Sequence, residues 1–392
     1  MTSTTTRIDD VLRAAVDAGD VHGLVATAAN RSGPIYRGAA GVRTAGGQAE
    51  MTTDTMFRIA SMTKMVTTTA ALQLHERGRL DLDTPVAELL PEFDDLQVLE
   101  GIDGEAPRLR PAAGRATVRQ LITHTSGLSY WFWNADIDRW QELTGTPDIL
   151  SGSAAAFGAP LVTDPGSRFE YGINTDWLGR VVETVSGRTL DAYWQANVFD
   201  PLDMPDTTVR MTDEQRSRST PVHLRDDAGS PVPSDIDWEQ QPTFWAGGHC
   251  LYSTPLDYLR FQQMLLGGGE LDGERILQRS TVDAAFTDQL GDLQFPARIR
   301  TARPDLSADF VTGPGWKWGY GLLLSTAPQP GMRAPGSGSW AGIYNTHFWV
   351  DPAGGITAAL YAQSLPFVEP RVYRPYRDFE RALYASLRDT TR

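Results

Sequence analysis

The sequence predicts an α+β fold in which an antiparallel sheet is flanked by helices and a mainly helical subdomain is set into the chain. Three observations carry this reading. Strand patterns lie near both ends, helical periods fill the middle, and Gly or Pro punctuates the joints between them. With 392 residues, 41% of them hydrophobic, the chain can bury a sizeable core, which argues against a disordered polypeptide.

Taken in order, MTSTTTRIDDVLRAAVDAGD is polar and then amphipathic, and it predicts a first helix. It lacks the apolar region and small-residue cleavage site of a secretory signal, so a cytoplasmic location is expected. Leu24–Asn30, Pro34–Arg37 and Ala39–Arg43 alternate with Gly-containing turns and predict an antiparallel meander. From Ser61 the chain reads SMTKMVTTTAALQLHERG, a largely buried helix of about four turns that stops at Gly78. Residues 83–218 hold a succession of helical periods cut by Pro and Gly. Residues 83–234 are therefore read as the helical subdomain, and 1–82 with 235–392 as a discontinuous α/β domain. Strand signals return in WGYGLLLS, THFWVD and ITAALYAQ, with Gly354-Gly355 as a hairpin turn between the last two. A helix over Tyr376–Leu387 closes the chain.

Composition removes several classes of function. The net charge of −14 is spread along the chain, which suits solubility and makes nucleic acid a poor partner. No apolar run approaches the roughly 18 residues of a spanning helix, so no membrane partner is expected. The single cysteine, Cys250, allows no internal disulfide and is read as a small packing residue. Neither a Cys/His cluster nor H-E-x-x-H occurs, so no metal and no cofactor is expected.

The chemistry-bearing pattern is Ser61-Met62-Thr63-Lys64. On a helix this spacing puts hydroxyl and amine on one face, about 5–6 Å apart at Cβ. A serine in a first turn also sits among unpaired N–H groups near the positive end of the helix dipole, where an oxyanion is stabilised. Alone the pattern is weak, because a capping serine followed by a surface lysine looks the same. It gains weight because the chain has only two lysines, Lys64 and Lys317, and uses arginine elsewhere. Arginine cannot deprotonate at working pH, and this chemistry needs an amine that can.

Two further segments add candidates. In Glu170-Tyr171-Gly172-Ile173-Asn174 the tyrosine stands just before a helix. Facing Ser61 and Lys64 it could relay a proton, provided the nearby ammonium lowers its pKa; otherwise it packs beneath the loop. Lowering either group from about 10 to 7 requires roughly 4 kcal/mol, and the pair would titrate as a unit. In Gly338-Ser339-Trp340-Ala341-Gly342-Ile343, small residues at Ala341 and Gly342 would let a substrate approach an edge strand, whose next amide could be a second oxyanion donor. Lys317, between two tryptophans, is read as a solvated or cation–π residue.

With these segments in this order, the sequence resembles the serine β-lactamase and penicillin-binding-protein superfamily, and most closely the class C β-lactamase-like esterases called family VIII carboxylesterases. The resemblance spans TMFRIASMTK (Thr55–Lys64), LITHTSGL (Leu121–Leu128), Pro165–Tyr171, AGGHCLYST (Ala246–Thr254), GWKWGYG (Gly315–Gly321) and Trp340–Pro352. It implies a β-lactamase/transpeptidase-like fold, with Ser61 as acyl-forming nucleophile, Lys64 as its activator and Tyr171 as proton relay. It also implies an oxyanion hole from the amides of Ser61 and Ile343.

The departures point away from β-lactams. Trp340-Ala341-Gly342 stands where a lactamase has Lys-Thr-Gly, and Asn174 lies one residue later than the asparagine of Tyr-x-Asn. Tyr130, Trp131, Trp245, Trp340 and Tyr344, with Ala341 and Gly342, are read as lining an apolar, roomy pocket for a small-molecule ester. The expected activity is that of a serine carboxylesterase. An amidase or peptidase, an acyltransferase or a promiscuous β-lactamase could use the same residues, and an idle penicillin sensor is a weaker alternative. A Ser-His-Asp hydrolase based on His124, His249 or His347 fares poorly, because no G-x-S-x-G elbow occurs.

Overall fold

The structure, a computed structural model, describes residues 2–390. Helix α1 (Thr2–Asp17) leads into strands β1 (Gly23–Asn30) and β2 (Gly33–Gly41), and α2 (Thr63–Glu76) follows. Farther on come α3 (Asn174–Ser186) and α4 (Pro255–Leu266), then β3 (Trp316–Trp318), β4 (Leu323–Ser325), β5 (Gly338–Gly342), β6 (Thr346–Asp351), β7 (Ile356–Tyr361) and α5 (Pro370–Thr390). Other elements are short and are named by residue range.

Seven strands form one antiparallel sheet in the order β3-β4-β5-β6-β7-β1-β2, so the first strands join the last ones through the β1–β7 pairing. Val25 lies opposite Tyr361 and Asn30 opposite Ile356. Side chains alternate between the two faces, as the pleat requires. Leu24, Ala26, Ala28, Trp349, Ala358 and Leu360 pack with Ile8 and Leu12 of α1 and with Phe379 and Leu383 of α5. Val25, Phe348, Val350, Ala359 and Tyr361 face the other way, into the large core that includes α2 and α4.

Helix α2 is central because its sequence has no polar face to give to water: every residue from Thr63 to Leu74 is buried. Its threonines satisfy their hydroxyls locally, as where Thr69 donates to the Met65 carbonyl at 2.9 Å. Ser61 precedes it in a single tight turn, Ala60–Met62, and α2 ends before Gly78, which takes φ +66°.

Three expectations need correction. The two short strands expected over 34–43 are one strand, β2, with an irregularity opposite Ala28 and Ala29. The last helix begins at Pro370, six residues before the expected Tyr376, and carries Pro375 inside it. Within the helical stretch, Val98–Asp103 and Ala106–Arg110 form a hairpin that helical periodicity does not foretell.

Candidate active site

Three segments meet at Ser61. The first is the turn that carries it, where Ala60 holds the left-handed backbone at φ +45°. A non-glycine residue in that region costs about 1–3 kcal/mol, and such strain gathers at functional sites. Ser61 itself is half-buried while its neighbours Ala60 and Met62 are fully buried, so the hydroxyl faces the accessible side. Strand β5 packs against this turn. A Cβ on Gly342 would come within 2.3 Å of the Ile59 carbonyl and 3.1 Å of Ala60 Cβ. The glycine expected to make room for substrate therefore makes room for the serine turn.

The second segment is α2. The Lys64 amine donates to Ser61 Oγ at 3.1 Å, to the Tyr130 hydroxyl at 2.9 Å and to the Gly248 carbonyl at 2.8 Å. All three ammonium donors thus have acceptors, which lets an amine on a buried helix survive. Burial nevertheless lowers its pKa from 10.5 to about 7, against a smaller opposing effect of Asp176.

The third segment is the pair of loops 123–133 and 164–173. They are tied together by the Glu170 amide donating to the His124 carbonyl at 2.7 Å and by Asn174, which donates to the Leu128 and Glu170 carbonyls, both at 3.3 Å. Asn174 accepts the Ser126 hydroxyl at 2.5 Å, so it works as a loop clasp. The approach is so close that a Cβ on Gly172 would sit 2.3 Å from Ser129 Cα. It brings the rings of Tyr130 and Tyr171 to 5.4 Å between centroids, and the Lys64 amine lies 5.2 and 5.0 Å from their centroids.

The Tyr171 hydroxyl accepts the Trp340 indole N–H at 3.1 Å, and Ser61 is near enough to favour its ionised form. Burial pushes its pKa well above 10, beyond what these two neighbours take back. The lowered phenol expected from the sequence is not what the fold makes. Burial of the phenol dominates, and the side chains that oppose it are Ser61 and Trp340, not Lys64.

The expected aromatic pocket also changes. Tyr130 is buried and bonded to Lys64, so it belongs to the amine's surroundings and does not line a pocket. Trp131 is buried against Phe132, and Tyr344 is buried at 5.5 Å from Trp238. Trp340 stacks edge-on to Trp318 and Tyr171. Trp245 lies under Arg210 and borders a small cavity with Trp238, His249 and Cys250. Ala341 and Ile343 remain half-buried, with Ile343 beginning the turn after the last β5–β6 pair, Gly342 opposite Thr346. The roomier space beside the site is a cavity of about 250 Å³ where Tyr171 meets Trp133, Arg168, Glu170, Arg298 and Arg300.

The remaining candidates are held elsewhere. Lys317 pairs with Asp288 at 3.2 Å and donates to the Gly291 and Leu293 carbonyls. His347 stacks on Tyr376 and Phe367, and His124 packs on Tyr171 and Trp318; burial keeps both imidazoles neutral, the more so beside Arg333 and Lys64 respectively. His249 Nδ1 is 3.6 Å from Asp176, a residue that sequence reasoning passed over. Its one signal was an acid in a helical segment whose neighbours Thr175, Trp177 and Leu178 are also buried.

A beta-lactamase family profile matches residues 8–383. The chain belongs to that family. Its seven-stranded antiparallel sheet with flanking helices is the β-lactamase/transpeptidase fold, and the family places it among serine hydrolases and acyl-transferring enzymes. Curated relatives include a lovastatin esterase of Penicillium rubens, 32% identical over 361 residues, covering 88% of this chain and 89% of that protein. Another is a monacolin J acid methylbutanoyltransferase of Aspergillus terreus, 33% identical over 359 residues, covering 85% and 82%. Among solved structures, a LovD6 mutant of the simvastatin synthase LovD from Aspergillus terreus superposes with a TM-score of 0.85 at 29% identity, covering 99% and 98% of the two chains. No helix of the described residues is long and apolar enough to cross a membrane.

Proposed function

We propose that this β-lactamase-family chain is a serine carboxylesterase of the family VIII kind, acting on small-molecule esters through an acyl-enzyme on Ser61. The observation that carries the reading is the buried Lys64 amine, 3.1 Å from Ser61 Oγ with a pKa brought down to about 7. At and above neutral pH a large fraction of it is free amine, a base matched to its working pH.

Lys64 takes the Ser61 proton as Oγ attacks the ester carbonyl, whose electrons move onto its oxygen. The Ser61 and Ile343 amides receive that oxyanion. Tyr171 stays a phenol, so it serves as a donor able to pass its proton to the leaving alkoxide, and solvent carries the proton held by Lys64 back to the phenolate. Water, activated by the same amine, then releases the acid. Of the two possible bases, the direction of the shifts favours Lys64 over Tyr171.

A second reading keeps the acyl-enzyme and replaces water by an alcohol. The relatives named as a methylbutanoyltransferase and a simvastatin synthase support it. Steady-state hydrolysis of p-nitrophenyl butyrate by the wild type and Ser61→Ala tests the common core. The expected result is turnover by the first and loss to background in the second; undiminished turnover by Ser61→Ala overturns the mechanism. Adding a primary alcohol and measuring the butyrate ester formed against free butyrate separates the two readings.

A further inference from the structure

Asp176 lies in the first turn of α3, fully buried. One of its carboxylate oxygens accepts the Gly248 N–H at 2.9 Å, and the carbonyl of that same glycine accepts the Lys64 amine at 2.8 Å. The other carboxylate oxygen is buried with no hydrogen-bond partner among the described residues, and the Tyr130 hydroxyl, which also accepts from Lys64, feels the carboxylate electrostatically. One acid thus holds a glycine that accepts from the amine, and one of its own oxygens has no hydrogen bond to offset its burial. A buried carboxylate is costly unless a positive charge lies close by, and the ammonium form of Lys64 is such a charge.

We propose that Asp176 is a positioning residue for the esterase centre: it fixes Gly248, whose carbonyl accepts from the Lys64 amine, and supplies the counter-charge to the ammonium formed when Ser61 gives up its proton. This rests on the Ser61 acyl-enzyme reading. The step conserves charge: the Ser61 O–H bond breaks, its proton joins the Lys64 nitrogen, and the freed electron pair makes the bond to the substrate carbon. The ammonium therefore appears as the oxyanion appears, and a fixed negative charge behind it stabilises the pair.

The other groups facing Lys64 cannot take this part. Burial keeps Tyr130 and Tyr171 as phenols, Cys250 as a thiol and His124 as a neutral ring. The His249 ring, 3.6 Å from the acid, brings no negative charge, and Ser61 is the reacting group. Asp176 is the group that opposes the effect of burial on Lys64.

The test uses Asp176→Asn, whose amide oxygen can still accept from Gly248 while the charge is gone. We expect the ascending limb of kcat/KM against pH, read with p-nitrophenyl butyrate, to move about one unit or more toward acid. The plateau should fall about 10- to 100-fold. A limb that stays in place reduces Asp176 to a hydrogen-bond acceptor and overturns the proposal. A second comparison needs no activity. Lys64→Met leaves the carboxylate without its cation, so the double variant Lys64→Met/Asp176→Asn should melt higher than Lys64→Met. A double variant that melts no higher, or does not fold, contradicts the charge coupling. Because melting is read without substrate, this arm stands even if Ser61→Ala were to sink the esterase reading.

Discussion

The Lys64 amine donates to the Tyr130 hydroxyl at 2.9 Å, and this bond, with the Gly248 carbonyl, aims its remaining donor at Ser61. Tyr171 accepts from Trp340, lies near Ser61 and meets Lys64 through its ring face. The two tyrosines therefore divide the work, one holding the base and one facing the reacting oxygen.

That division is measurable. Tyr130→Phe removes one acceptor from a buried amine, and kcat/KM for p-nitrophenyl butyrate should fall about 10- to 100-fold. Tyr171→Phe removes the proton donor, and the fall should reach about 10²- to 10⁴-fold, mostly in kcat. Equal, modest losses would demote Tyr171 to packing.

The pH profile follows from the same geometry. Because burial lowers the Lys64 pKa, the amine is protonated and inactive below about 7 and free above it. In the wild type kcat/KM should therefore rise with pH through an inflection near 7. A profile already flat from pH 5 upward would show that another group is the base.

Nitrocefin should be turned over poorly or not at all by enzyme that hydrolyses p-nitrophenyl acetate readily. Where a lactamase has a lysine for the β-lactam carboxylate, this chain has Trp340, whose indole N–H is already bound to Tyr171. Comparable kcat/KM values for the two substrates would refute this account of specificity.

Much of this was legible in the sequence because it is local. Ser61 and Lys64 are one helical turn apart, and the strand patterns at both ends announce the sheet. What escaped depends on long-range contact. Tyr130 lies in a run of four aromatic residues that reads as pocket lining, and only its contact with Lys64, 66 positions away, shows otherwise. Asp176 is invisible to periodicity because the groups it meets, the Gly248 amide and the His249 ring, lie more than 70 positions away. Helix α5 starts six residues before Tyr376 because it runs through Pro375 from Pro370, where a proline interrupts the helical pattern without ending the helix.

Helix α5 offers a stability test independent of catalysis. Arg333 meets Glu380 through two 2.8 Å hydrogen bonds, with side chains 5% and 0% exposed, and lies over the Trp349 ring. Glu380→Ala would strand a buried guanidinium and should cost about 3–5 kcal/mol in chemical denaturation. The p-nitrophenyl butyrate activity of the folded fraction should be kept. A loss below about 1 kcal/mol would mean that water reaches and solvates the pair.

The central claim is that Ser61 carries the acyl group, and the direct measurement is mass spectrometry of enzyme quenched in acid during turnover of p-nitrophenyl butyrate. The account predicts one butyryl group, located on the peptide containing Ser61 and lost in Ser61→Ala. A butyryl group on any other residue, or its persistence in Ser61→Ala, would contradict it.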